Sequence, residues 1–379
     1  MRTRKAIRAT AVGLFILIIW SPTLQKQLNL FRYTPLIENR LKMPCPADWQ
    51  TMFRTDSTFG TRFEEFFNDH FGLRDLLIQI KNQIDYALFR KSEKIVIGRD
   101  GWLFYKSYVE GEEVDLERAT PQEWQTMFGR LLKLNRLLAS RGITLVILPC
   151  PMKNSIYPEQ LPPSAPRRPH PTAFDTYRRF LSEHPEIVTV DPTSLLLKLK
   201  PTLQVYHKTD FHWTDPAGAQ VVRELVDRLA TMSGMGRVWD QPIEATYERT
   251  TRGGENTSLG LLWPSTENTL MLRADLIKPP VGKYSYTKEA NEWTYQTGLA
   301  DASKLIPTTV MFGDSFADAF LRAGFTAYFA RFQKFYNWDF SKKYPGIPEG
   351  TRFVVLQHIE VFLQGMLSQG LWPDEILTR

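Results

Sequence analysis

The apolar positions of this chain follow three successive rhythms, and each predicts a different kind of structure. From Ala9 to Gln25 there is no charged residue, and at the centre lies the dense run Ala11-Val-Gly-Leu-Phe-Ile-Leu-Ile-Ile-Trp20. A helix over that stretch rises about 1.5 Å per residue, roughly 25 Å in all, short of a bilayer core of about 30 Å but within tolerance with Trp20 at an interface. The following Trp20-Ser-Pro-Thr-Leu-Gln25 offers no small-x-small cleavage pattern, so an uncleaved anchor is expected. From Asp56 to Arg90 the apolar residues recur three and four apart. Phe59, Phe63, Phe66 and Phe67 mark one helix and Leu73, Leu77, Ile80, Ile84 and Leu88 a second, both with faces that need cover. Ile95 to Tyr105 then places two short β-prone runs around Asp100-Gly101, the signal of a hairpin.

The third rhythm alternates helix and strand. Thr120-Pro-Gln-Glu123 supplies an N-cap, a first-turn proline and a capping-box glutamate; Trp124, Phe128, Leu131, Leu134 and Leu138 carry the helix on, and Gly142 ends it. A strand over 143–148 follows, then a helix over 174–181, a strand over 187–190 and a helix over 192–199. Late in the chain, 308–312, 326–330 and 352–357 read as further strands. This alternation predicts an α/β domain, a mostly parallel sheet with helices on both faces. Residues 231–307 show little periodicity and are expected to hold short strands or an insertion at a functional edge. The organisation expected is a signal-anchor over 1–25, a helical lead-in and hairpin over 26–118 packed on the catalytic domain, and that domain over 119–379.

Charge changes the picture only in its distribution. The chain has 379 residues, a formal charge of +6 and a pI near 9.1. Arg2, Arg4, Lys5 and Arg8 supply four of those charges, leaving +2 on the remainder. There is no basic body for nucleic acid. Basic residues before an apolar helix stay cytoplasmic, so the residues beyond about 26 are expected outside, in the periplasm of a Gram-negative cell anchored to its inner membrane. The two cysteines, Cys45 and Cys150, have no metal or redox spacing. Either one disulfide or two separate thiols fits them. Neither a metal nor a cofactor is expected.

In a parallel sheet, ligands bind beyond the carboxyl ends of the strands. Gly313-Asp-Ser315-Phe316 follows one strand and opens a helical stretch, which makes Ser315 a candidate nucleophile on a tight turn, against the plainer reading of an N-cap serine. A serine needs a base within about 3 Å. Among six histidines, His212 in Tyr206-His-Lys-Thr-Asp210-Phe-His212-Trp213 has an acid two residues before it, able to orient its ring. His358, after the last strand, is the reserve base. Lys153 and Asn154 follow another strand and could bind a sugar carboxylate or hydroxyl. Tyr206 and Trp213 could stack on a sugar ring or pack in the core.

Taken in order, Asn68-Asp-His-Phe-Gly-Leu-Arg74, Gly98-Arg-Asp-Gly-Trp-Leu-Phe-Tyr105, Pro151-Met-Lys153, Asp210-Phe-His212-Trp-Thr and Gly313-Asp-Ser315-Phe resemble the SGNH-hydrolase-like family of alginate O-acetyltransferases, AlgX and AlgJ. The likeness spans about residues 50–365, and the anchor makes it closer to the AlgJ type. It implies an SGNH-type α/β fold, acetyl transfer onto an exported polysaccharide, and a membrane-bound O-acyltransferase as acetyl supplier. Ser315 would be nucleophile, His212 general base and then acid, and Asp210 its orienting partner. The sequence departs from the family where a Gly-Asp-Leu-like element is expected: it has Gly253-Gly-Glu-Asn-Thr-Ser-Leu259. The N–H of Ser315 is one oxyanion donor, with the N–H of Gly254 or the side chain of Asn256 as candidates for the second. Alginate is the family's namesake, and cellulose or another exopolysaccharide would serve the same chemistry. An acetylesterase with the same triad, or a non-catalytic polysaccharide-binding scaffold, are the rival readings.

Overall fold

The computed structural model describes residues 2–367 except 39, 49, 51, 53, 55–57, 167, 240, 252, 274–282, 290, 291, 299–301 and 337–346. The chain divides into two compact units, Met1–Glu93 with Asn256–Ser265, and Lys94–Glu255 with Thr266–Arg379. The hairpin falls in the larger unit.

In the smaller unit, helices span Arg2–Leu28, Phe59–His70 and Arg74–Phe89. The first includes Ala6–Leu28, long and apolar enough to cross a membrane, with a mean hydropathy of 1.7. Its end is closed by Gln25, whose amide donates to the Phe31 carbonyl and accepts from the Phe31 N–H, both at 2.8 Å. Gly72, between the other two helices, has no room for a side chain, because a Cβ there would lie 2.0 Å from the Pro22 carbonyl oxygen. The expected apolar cover of these helices is not found among the described residues. Phe63, Phe67, Leu77, Ile80, Ile84 and Leu88 are exposed, and the positions buried are Phe59, Asp69 and Gln79. The reason is polar: Gln79 donates to the Thr34 carbonyl at 2.7 Å, Asp69 takes the Met43 N–H at 2.8 Å, and Arg74 grips Glu38 with two 2.9 Å bonds. The extended segment is held by these polar side chains, and the apolar residues just named stay exposed.

The larger unit opens on the hairpin β1 (Ile95–Ile97) and β2 (Leu103–Tyr105), paired antiparallel. Its main sheet runs in the order β4 (Val188–Thr189), β3 (Thr144–Cys150), β11 (Phe353–Ile359), β9 (Thr309–Gly313), β10 (Arg331–Tyr336), β8 (Glu292–Gly298), β7 (Lys283–Glu289). The first five strands are parallel; β8 and β7 extend the sheet antiparallel. Alternate residues of the central strands feed two cores: Val146, Leu148, Met311 and Val355 lie in one, Leu145, Ile147, Val310, Phe312, Val354 and Leu356 in the other. Burial on both faces is why these strands read as unbroken apolar runs. Helices Pro121–Ser140 and Asp215–Met232 each bury an apolar stripe. The former carries the expected capping box, with the Thr120 hydroxyl accepting from the Glu123 N–H.

One expected strand is absent. Residues Phe325–Tyr328 form a 3-10 turn entered through Gly324, whose φ of 70° suits a glycine, and the strand is β10, a few residues later. Phe325 packs edge to face on Phe329 and Phe332, and Phe329 lies tilted on Phe332, with centroids 4.7–5.6 Å apart. The aperiodic stretch 231–307 holds the antiparallel pair β5 (Ala245–Thr250) and β6 (Glu267–Leu272), besides β7 and β8.

Candidate active site

Strand β9 ends at Gly313, and the chain turns at once into a 3-10 turn, Ser315–Ala317, and a short helix, Asp318–Arg322. Asp314, and not Ser315, is the N-cap: its carboxylate accepts from the Phe316 N–H at 2.8 Å. That carboxylate is buried and fully engaged, taking the Gln357 amide and the Ile359 N–H, each at 2.8 Å, while the Asp314 N–H donates to Gln357 at 2.9 Å. Burial lifts its pKa above the ordinary carboxylate range despite those donors. The Ser315 hydroxyl is thereby left out of the cap. Its own N–H stands first in the turn, where no carbonyl of that turn can take it, so it is available to an oxyanion.

The second element is the loop before helix Asp215–Met232. Tyr206 and Trp213 bridge antiparallel, and His207 N–H donates to the His212 carbonyl at 3.2 Å, closing a tight loop. Within it Asp210 accepts from the His212 N–H at 2.9 Å and meets ring Nδ1 at 2.5 Å. His212 Nε2 lies 2.7 Å from Ser315 Oγ, although the two are 103 residues apart. The second Asp210 oxygen accepts from the Gly254 N–H at 2.6 Å. Burial by itself would raise the Asp210 carboxyl, but the His212 ring bond and charge and the two backbone donors outweigh it and hold it below the usual carboxylate range. An anionic Asp210 fixes the ring with Nδ1 protonated, leaving Nε2 to accept the serine proton.

The remaining sequence candidates lie elsewhere in function. The Gly254 N–H is spent on Asp210, so it is no oxyanion donor. The Asn256 side chain is spent at both ends on Ser265, donating to its carbonyl and accepting from its hydroxyl at 2.8 Å each. Lys153 is buried in an ion pair with Glu255 at 2.7 Å, and Asn154 is buried beside it in the chain; neither presents itself to a sugar. Tyr206 is buried and donates to the Pro151 carbonyl at 2.5 Å; Trp213 is buried with its indole N–H on the Phe316 carbonyl at 3.0 Å. Both are core residues that brace the site from below. His358 is buried with its Nε2 on the Tyr177 hydroxyl at 3.1 Å, and burial pushes its pKa down to about 4; the ring that meets Ser315 is that of His212. Cys45 is exposed, Cys150 buried, and both are free thiols. Among the described residues no cluster of His, Cys, Asp or Glu could hold a metal. Gln357, Glu255 and Glu267 were invisible to sequence reasoning, because each is a lone polar residue with no spacing to mark it.

A largely parallel sheet carrying serine, histidine and aspartate beyond the carboxyl end of its strands defines an SGNH-hydrolase-like α/β protein. Over residues 95–331 the chain matches, and belongs to, the family described as SGNH hydrolase-like domain, acetyltransferase AlgX. It is similar to the "Probable alginate O-acetylase AlgJ" of Pseudomonas aeruginosa, 29% identical over 206 residues, 52% of this chain and 48% of that one. The protein of the same name from Azotobacter vinelandii is 30% identical over 161 residues, 42% of this chain and 40% of that one. The chain thus spans about half or less of the length of the curated relatives it matches. Bacillus cereus PatB1, solved with a sulfonyl adduct, shares the fold at a TM-score of 0.53 and 13% identity, covering 74% of this chain and all of that one.

Proposed function

We propose that this chain is an O-acetyltransferase that modifies an exported polysaccharide through an acetyl-serine intermediate. Ser315 Oγ attacks the acetyl carbonyl carbon of a donor while His212 Nε2 takes its proton; the leaving group departs with that proton. The oxyanion rests on the Ser315 N–H. A polysaccharide hydroxyl then gives its proton to Nε2 and attacks the acetyl carbon, and Ser315 recovers the proton as the ester moves to the sugar. The observation that carries this reading is the continuous contact from Asp210 through His212 to Ser315, at 2.5 and 2.7 Å. The similarity to proteins named alginate O-acetylases supports acetyl as the group and an exopolysaccharide as the acceptor.

The Ala6–Leu28 helix, preceded by basic residues, would anchor the catalytic unit on the periplasmic face of the inner membrane, beside a membrane-bound O-acyltransferase that supplies acetyl groups. The test uses the full chain in detergent with 4-nitrophenyl acetate as donor and purified alginate or cellulose oligosaccharides as acceptors. Acetylated oligosaccharide is expected by mass spectrometry, and Ser315→Ala should abolish it. Release of free acetate with no acetylated sugar would sink the transferase reading.

A further inference from the structure

Lys153 and Glu255 form a buried ion pair that the acyl-transfer steps do not use. Lys153 follows β3, and its ammonium reaches Glu255 at 2.7 Å, the Asp210 carbonyl at 3.0 Å and the Lys208 carbonyl at 3.4 Å. The hairpin covers it, with the rings of Phe104 and Trp102 centred 5.1 and 5.9 Å away. Glu255 directly follows Gly254, whose N–H holds the outer oxygen of Asp210. Its second oxygen is buried without a hydrogen-bond partner, and burial pushes its carboxyl up to about 7 against the pull of Lys153. A structural brace of this kind is expensive to bury and often gains nothing over apolar packing. What it does here is geometric: one ammonium grips the main chain of Asp210, and its counter-ion fixes the residue that grips the Asp210 side chain.

We propose that Lys153 and Glu255 are positioning residues for the triad acid, setting the place of Asp210 and through it the ring of His212; this rests on the triad reading above. The pair joins three remote segments, the β3 exit, the Lys208–Asp210 loop and the Gly253–Glu255 turn. The same loop is held on its other side by Glu267, which accepts from the Lys208 and Thr209 N–H groups at 2.7 and 3.3 Å, and by Leu103 N–H on the Lys208 carbonyl at 2.8 Å. Those bonds fix the loop's start. Among the described residues, the hydrogen bonds that reach Asp210 from outside the loop come from Lys153 and Gly254.

The probe is the rate at which phenylmethylsulfonyl fluoride labels Ser315 in the full chain, read by mass spectrometry across pH, which needs neither natural donor nor acceptor. In Lys153→Met/Glu255→Met, whose apolar pair keeps the volume, labelling should slow roughly ten- to a hundredfold with the fold intact by circular dichroism. Glu255→Gln removes the negative charge that Glu255 carries above about pH 7, which disfavours the imidazolium there, so the upper part of the acid limb of the labelling profile should move to lower pH. Wild-type rate and an unmoved limb in folded variants would overturn the inference and leave a brace alone. Should the double variant fail to fold, the isosteric Glu255→Gln profile decides by itself. If wild-type Ser315 is not labelled at all, the triad reading fails first, and the two failures are told apart.

Discussion

Ser315 and Asp210 sit on opposite sides of His212, yet the molecule secures them by different means. The serine turn grows out of β9, an all-buried strand with neighbours on both sides, and Asp314 and Gln357 lock it with short, buried, reciprocal bonds. Among the described residues, the acid loop does not grow out of a strand of the main sheet. It is a short surface hairpin, with Asp210 and His212 both partly exposed, held by main-chain contacts that arrive from the Gly253–Glu255 turn, from Lys153, from Glu267 and from the β1–β2 hairpin. A serine on a rigid elbow can be aligned once, by the sheet. A histidine on a loop has to be held by residues that themselves need holding, so its precision depends on more of the fold.

The largest expected break in that comparison is at Gly253. A Cβ there would come within 2.3 Å of the Thr209 carbonyl oxygen, a main-chain atom that cannot rotate away. Gly253→Ala should push the loop and its acid out of line and cut acetyl transfer roughly a hundredfold, with little change in circular dichroism. An activity within a factor of about two of wild type would mean that the acid loop tolerates displacement.

Gln357→Leu attacks the other side. It strips Asp314 of one donor and leaves the Asp314 N–H unmatched in a buried site, a loss of about 1–3 kcal/mol in chemical unfolding. Because the turn keeps its other bonds to Phe316 and Ile359, kcat should fall only about tenfold. A larger loss in kcat than that of Gly253→Ala would reverse the ranking of the two halves.

The smallest effect on catalysis lies away from both. Burial holds His358 neutral, with its pKa lowered from 6.5 to about 4, while the unfolded chain takes up a proton below 6.5. Acidification from pH 6.5 toward 4 should therefore remove up to about 3 kcal/mol of stability, recovered as pH rises. His358→Gln should flatten that slope in unfolding titrations without altering labelling of Ser315. An unchanged slope would place the acid sensitivity elsewhere.

Much of the frame was legible before any coordinates. The capping box at Thr120, the unbroken apolar runs of β3, β9 and β11, and the N-terminal apolar helix all follow from local spacing, because each residue's neighbours in sequence are also its neighbours in the element. Asp210 and His212 were legible for the same reason: an acid two residues before a histidine can bond both its N–H and its ring within one turn. The turn at Phe325–Tyr328 was misread as strand because aromatic, β-prone residues at turn spacing pack as a cluster. Lys153, just after a strand, and Tyr206 and Trp213, flanking the acid–histidine pair, are all buried, and their burial depends on cover from segments far along the chain.

By itself, then, the sequence determined the order of helices and strands, the presence of an apolar helix at the start and the acid–histidine turn, all settled by interactions a few residues long. Only the tertiary structure decided that His212 meets Ser315, that Gly254 and Asn256 are spent on other partners, and that a buried ammonium stands behind the acid. Those outcomes turn on distances between residues tens to hundreds of positions apart. No local periodicity encodes them, because they exist only once the sheet has brought its strand ends to one edge.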